Sequence, residues 1–174
     1  MTYTANIIPT MTSATEPSGV VTSSDYVGAS YDWKAFDHSN VDDICWQSGP
    51  ANFPKWLEYQ FAVAKTITQY TLTSRNYQNV RAPKTWTFEG SNNGTTWVTL
   101  DTQTDITDWA ASLNTQKTFP LLNTTAYLYY RLHISATNDV SGYVCVGELE
   151  MMETLAIPIR SGRFPVISRI CRGM

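Results

Sequence analysis

Apolar and polar residues along this chain alternate with a period of two, in short segments, and no stretch sustains the period of an amphipathic helix. Trp56 to Phe61 puts Leu57, Tyr59 and Phe61 on one side and Glu58 and Gln60 on the other, the pattern of a half-buried strand. Lys84 to Gly90 repeats it with Trp86 and Phe88 opposed to Thr85, Thr87 and Glu89. It runs into Ser91-Asn92-Asn93-Gly94, a hairpin turn built of residues that tolerate positive φ. Thr95 to Asp101 is then the returning strand. Further strands are predicted over Thr66 to Ser74, Gln116 to Leu121, Thr125 to Ser135 and Tyr143 to Met152, with Tyr130, Leu132 and Ile134 as an inward row.

Seven or more strands separated by polar turns, with no helix between them, predict an all-β, two-sheet sandwich with Greek-key or jelly-roll connections. The sandwich is assigned to residues 1–153, including a Thr-, Ser-, Gly- and Pro-rich extended lead-in to about residue 30. Residues 154–174 read as a C-terminal extended arm. Trp33, Trp46, Trp56, Trp86 and Trp97 are expected in the core, and Trp109, within the polar segment Asp105 to Asn114, is expected to pack beneath a long loop.

Six Trp, ten Tyr and six Phe in 174 residues supply a large aromatic core, so no metal or disulfide staple is needed for folding. Charge divides the chain. Residues 1–152 carry net −6, whereas residues 153–174, with Arg160, Arg163, Arg169 and Arg172, carry net +3. No basic stripe is present, which argues against nucleic acid, and no run is long and apolar enough for membrane insertion. Cys45, Cys145 and Cys171 lack the spacing of a zinc or redox motif and read as free thiols. His38 and His133 are far apart, and no nucleophile elbow, zinc-protease or phosphate-loop motif occurs, so the chain reads as no enzyme.

Five segments in order carry a resemblance: Lys34-Ala35-Phe36-Asp37; Trp46; Lys55-Trp56-Leu57-Glu58-Tyr59; Pro83 to Trp97; and Tyr129-Tyr130-Arg131-Leu132 with Gly147-Glu148-Leu149-Glu150. Over about residues 8–152 the chain resembles the discoidin or coagulation-factor type C domain, a galactose-binding-like fold that includes bacterial and bacteriophage carbohydrate-binding relatives. The resemblance implies an eight-stranded jelly-roll β-sandwich that binds ligands with the loops at one end, commonly terminal galactose or a related sugar, and that holds a structural calcium. For calcium it implies Asp37 and Glu148 as carboxylates, with carbonyls from Lys34, Asn40 and Gly147. The loop from Asp37 to Trp46 is longer than the family's and lacks its Thr, a ligand that Asp42 or Asp43 would replace.

Sugar recognition combines an aromatic face with planar donors and acceptors, and Ser74 to Arg81, between two strands, concentrates such residues. The segment resembles the family's ligand loop. Arg75 and Asn79 are the first choices, Asn76 is the alternate if the register shifts, Tyr143 is the stacking aromatic and His38 lies in the opposing loop. The function expected is a non-catalytic carbohydrate-binding adhesion module of a bacteriophage virion (tail, fibre or capsid decoration) that binds a cell-surface glycan. The alternative is a purely structural virion subunit with the same fold. Residues 154–174 are expected to dock onto a second copy, as a homo-oligomer, or onto other virion proteins. A virion location is expected, since no export signal is visible, the alternative being secretion or surface display by a non-classical route.

Overall fold

The structure, a computed structural model, describes residues 1–39, 45–50, 52–76, 79–109 and 114–155. Ten strands occur among these residues: β1 Val20–Ser23, β2 Trp46–Gln47, β3 Lys55–Lys65, β4 Gln69–Thr73, β5 Pro83–Ser91, β6 Val98–Gln103, β7 Gln116–Pro120, β8 Tyr127–Thr137, β9 Cys145–Val146 and β10 Glu148–Met152. They form an antiparallel five-stranded sheet ordered β1-β3-β8-β5-β6, a three-stranded sheet ordered β10-β4-β7, and a short β2-β9 ladder. Eight strands of four or more residues thus make the two layers of the expected sandwich.

The core lies where the period-two pattern puts it. Leu57 and Tyr59 of β3, Trp86 and Phe88 of β5, and Tyr130, Leu132 and Ile134 of β8 are all buried, and they face Tyr70, Leu72, Phe119, Leu149 and Met151 of the smaller sheet. Aromatic contacts join the layers: the Tyr70 ring, which stacks on Phe119 of its own sheet at 4.8 Å, lies 4.2 Å from Phe88, and Trp86 meets Phe119 edge-on at 5.4 Å. The turn after β5 is built as its residues require. Ser91 Oγ accepts the N–H groups of Asn93 and Gly94, and Gly94 has φ +68°.

Three expectations change. The lead-in contains a strand: β1 pairs with β3 from Val20↔Gln60 to Ser23↔Leu57, and Ile8 and Met11 are each only 1% exposed in the core. Isolated apolar residues among Thr and Ser give no periodic signal, yet Ile7 N–H donates to Met151 O and Thr4 N–H to Glu153 O, which lays this segment against β10. Second, Trp46 and Trp86 are core and Trp33 packs partly buried against it, but Trp56 and Trp97 are only half-buried. Parity decides Trp56, which shares its face of β3 with Glu58 and Gln60, while Trp97 stacks against the Arg131 guanidinium at 3.9 Å. Third, the segment expected as one strand from Tyr143 to Met152 is broken at Gly147, whose N–H donates to Thr73 O. Trp109 packs as expected, buried with its indole N–H donating to Pro83 O. Cys45 and Cys145 are buried and not disulfide-bonded, and the arm from residue 156 onward, with Cys171, lies outside the described residues.

Candidate functional site

Strand direction gathers the chemistry at one end. β1 ends at Ser23 opposite Leu57, β3 begins at Lys55 opposite Ile134, and β5 begins at Pro83 opposite Thr137 near the end of β8. In the smaller sheet β4 ends at Thr73 opposite Glu148. The loops 24–31, 74–82 and 138–144 therefore leave from the same end, together with the β2-β9 ladder, since Ser48 N–H donates to Val144 O. The loops 92–97 and 121–126 leave from the other.

Gln47, on β2 opposite Cys145, is the centre of the first cluster. Its Oε1 accepts from Arg75 Nη1 at 2.9 Å, Arg81 Nη1 at 3.0 Å and the Cys145 thiol at 3.2 Å. Arg81 also donates through Nε to Asp139 Oδ2 at 3.2 Å, and its guanidinium lies 4.6 Å from the Tyr143 ring centroid. A guanidinium is planar, with donors fixed in a fork, so contacts at Nη1, Nε and the face leave it a single orientation. Arg75, Arg81 and Tyr143 are all partly exposed, whereas Gln47 is nearly buried. The arrangement is a candidate binding cleft: a buried acceptor floor, two partly exposed guanidinium groups and the aromatic ring that Arg81 covers on one side.

Of the expected sugar residues, Arg75 and Tyr143 come together here, linked through Gln47 and Arg81. Asn76 adjoins Arg75, and its Oδ1 is a buried acceptor without a hydrogen-bond partner. Asn79 begins a 3-10 turn, Asn79–Arg81, and its side chain lies outside the described residues. His38 does not join them. Its Nδ1 pairs with Thr10 Oγ1, and its Nε2 either accepts from Asn6 Nδ2 or, in the other tautomer, donates to Ile8 O, so in both tautomers the ring is committed to the lead-in. Gln47, Arg81 and Asp139 were not among the expected site residues. Arg81 lies within the loop singled out, but nothing local marks Gln47 or Asp139 as its partner.

Asp37 and Glu148 lie close together, bridged by one backbone N–H. The Ser39 N–H donates to Asp37 Oδ1 at 3.0 Å and to Glu148 Oε1 at 2.8 Å, and Lys34 Nζ donates to Asp37 Oδ2 at 3.2 Å. Glu148 is 4% exposed, and its Oε2 is buried with no hydrogen-bond partner. Burial, reinforced by the adjacent Asp37 carboxyl, pushes the Glu148 carboxyl up to about 9. Two converging carboxyl groups and an orphaned buried oxygen form a donor set that suits a hard, oxygen-liganded cation. Gly147 precedes Glu148 at the strand break, whereas Asn40 and Asp43 lie outside the described residues. Among the described residues no three His, Cys, Asp or Glu side chains cluster as metal ligands, so such a cation would depend on backbone carbonyls as well.

Several solved structures share this fold. One is a family 32 carbohydrate-binding module from Clostridium perfringens in complex with GalNAc-β-1,3-galactose: TM-score 0.64, 14% identity, 76% of this chain and 94% of that one. Another is the family 32 module of C. perfringens NanJ in complex with galactose: TM-score 0.64, 17% identity, 78% and 93% covered. A third is a point mutant of chitosan-binding module 1 of a chitosanase/glucanase from Paenibacillus sp. IK-5: TM-score 0.64, 22% identity, 86% and 98% covered. No curated protein matches the chain. The sequence itself matches the F5/8 type C domain over residues 20–149, from the first strand through the start of the last. The sandwich and that match together place this chain in the F5/8 type C, or discoidin, domain family.

Proposed function

We propose that the chain is a non-catalytic glycan-binding module that engages a sugar at the cleft formed by Arg75, Arg81, Gln47 and Tyr143. The observation that carries the reading is the convergence of two oriented guanidinium groups and an aromatic ring at the loop end. Guanidinium donors suit vicinal hydroxyls, and an aromatic face takes the C–H side of a pyranose ring. Solved structures of this fold include modules bound to galactose and to chitotriose, so neutral and amino sugars are the first probes. Calcium, held by Asp37, Glu148 and carbonyls such as that of Gly147, would fix the loop after Asp37 to β10 and so stiffen the cleft end.

A glycan array followed by titration of Arg75→Ala tests the reading. Binding should weaken by about 1 to 3 kcal/mol with the melting temperature nearly unchanged, because a partly exposed donor contributes to ligand contacts more than to the core. Unchanged affinity removes Arg75 from the site. The alternative, a structural subunit without ligand, draws on Arg81 being engaged by both Asp139 and Gln47, and an array with no bound glycan would favour it. A bacteriophage particle is the setting proposed, with host adhesion as the role, and host-cell adsorption blocked by the isolated protein is its test. For the arm, the docking site proposed is on a second copy or a neighbouring virion protein. The described chain ends at Leu155, 45% exposed, beside an apolar groove lined by Thr66, Thr68, Leu121 and Leu122 at the end opposite the cleft.

A further inference from the structure

The loop between β1 and β2 displays two tyrosines that the cleft does not use. Tyr26 is 48% and Tyr31 39% exposed, and their rings meet edge-to-face at 5.3 Å and 64°. Tyr31 also stacks nearly parallel to Trp33, at 6.3 Å and 8°, while Lys34 Nζ covers a Trp33 face at 4.1 Å. Exposed aromatic rings lose favourable burial unless something covers them, and here two lie side by side at the ligand end of the sandwich.

Both rings hang from pinned backbone. Asp25 O accepts the Trp46 indole N–H at 2.9 Å, and its Oδ2 accepts from Lys55 Nζ and Gly49 N–H, each at 3.0 Å. Asp32 accepts the Trp33 N–H at 2.9 Å and the Ser23 hydroxyl at 3.3 Å. Between the two tyrosines the chain turns with Ser30 N–H donating to Val27 O, and Gly28 takes φ +58° in open space, so the turn and not crowding requires glycine. This turn is bonded to the cleft's own strand: Val27 N–H donates to Gln47 O at 3.0 Å and Gln47 N–H to Ser30 O at 3.3 Å. Gln47 thus faces the arginines with its side chain and carries the tyrosine loop on its backbone.

We infer that Tyr26 and Tyr31 form a stacking platform for a second sugar ring, so that the ligand is an oligosaccharide running from the Gln47 cleft across the first loop. The inference rests on the glycan-binding reading and adds the length of the ligand to it. Both rings are exposed, and both hydroxyls are without a hydrogen-bond partner among the described residues, which suits a ring with one apolar face and hydroxyls at its rim. A lipid bilayer is the less suited occupant, because the exposed rings end in hydroxyls and stand among Ser24, Asp25 and Ser30.

Calorimetry with a panel of monosaccharides (galactose, N-acetylgalactosamine, glucosamine) and with di- to tetrasaccharides of the same units tests it. Wild type should bind the longer sugars about tenfold more tightly than the monosaccharide, and the double variant Tyr26→Ala, Tyr31→Ala should lose that gain while keeping monosaccharide affinity and melting temperature. Tyr26→Phe with Tyr31→Phe should retain most of the gain, since stacking needs the ring. Equal wild-type affinity for both lengths overturns the platform and leaves the cleft standing, as does a double variant that weakens both lengths equally. Wild type that binds no sugar overturns the cleft reading and the platform with it. Co-sedimentation with phosphatidylcholine and phosphatidylserine vesicles that disappears in the double alanine variant would reassign the rings to a membrane and overturn the inference.

Discussion

Replacing Gln47 with alanine attacks the cleft at its floor. The Oε1 atom accepts three donors, two of them guanidinium groups, and a hydrogen bond to a charged group contributes about 1.5 to 3 kcal/mol when water cannot replace it. Water can replace much of it here, since the Arg81 side chain is 25% exposed and keeps Asp139. A loss near ~2 kcal/mol of stability is therefore expected, which for a domain of this size lowers the melting temperature by about 4 to 8 °C. Affinity should fall further than stability suggests. Both guanidinium groups lose the acceptor that aims them, so sugar binding should weaken at least tenfold, measured on protein shown by near-ultraviolet circular dichroism to be folded. Gln47→Glu, which keeps an acceptor in place, should retain the arginine geometry and the fold. Wild-type sugar affinity in Gln47→Ala would refute the argument, because it would mean that the arginines need no common acceptor to be positioned.

Trp86→Ala should cost about 3 to 5 kcal/mol in denaturant unfolding, since the indole is 1% exposed and donates to the Tyr70 hydroxyl at 3.0 Å; a near-unchanged midpoint would contradict the facing of β5. Titration of chelator-stripped protein with calcium should release heat and raise the melting temperature, and Asp37→Asn should abolish both responses. No heat and no stabilisation in wild type would dismiss the calcium site. Removing residues 156–174 should reduce the solution mass measured by light scattering if the arm docks between copies, and a monomeric full-length chain would exclude homo-oligomeric docking.

The sandwich was legible in the order of residues alone. A period of two survives in β3, β5 and β8 because each has one face buried and one face wet, and the turn at Ser91 to Gly94 announces itself through residue types that tolerate its backbone. Asp37 and Glu148 were singled out as residues at matching places in the ordered segments, whereas Arg75 and Tyr143, outside those segments, were singled out by residue type and by likeness to the family's ligand loops. What the residue order did not contain was which groups meet. Gln47 looks like any glutamine beside a tryptophan, and it becomes a floor because β2 pairs with β9 and brings Cys145, Arg75 and Arg81 to one amide oxygen. His38 has the residue type for a sugar site, yet the lead-in crosses it and occupies both ring nitrogens. Ile8 and Met11 enter the core without a periodic neighbour to betray them, and Tyr26 and Tyr31 stay outside it despite being aromatic. Local pattern records only which face of a strand is dry, whereas contacts between loops are set by where antiparallel strands end, and that is decided when the sheets pack.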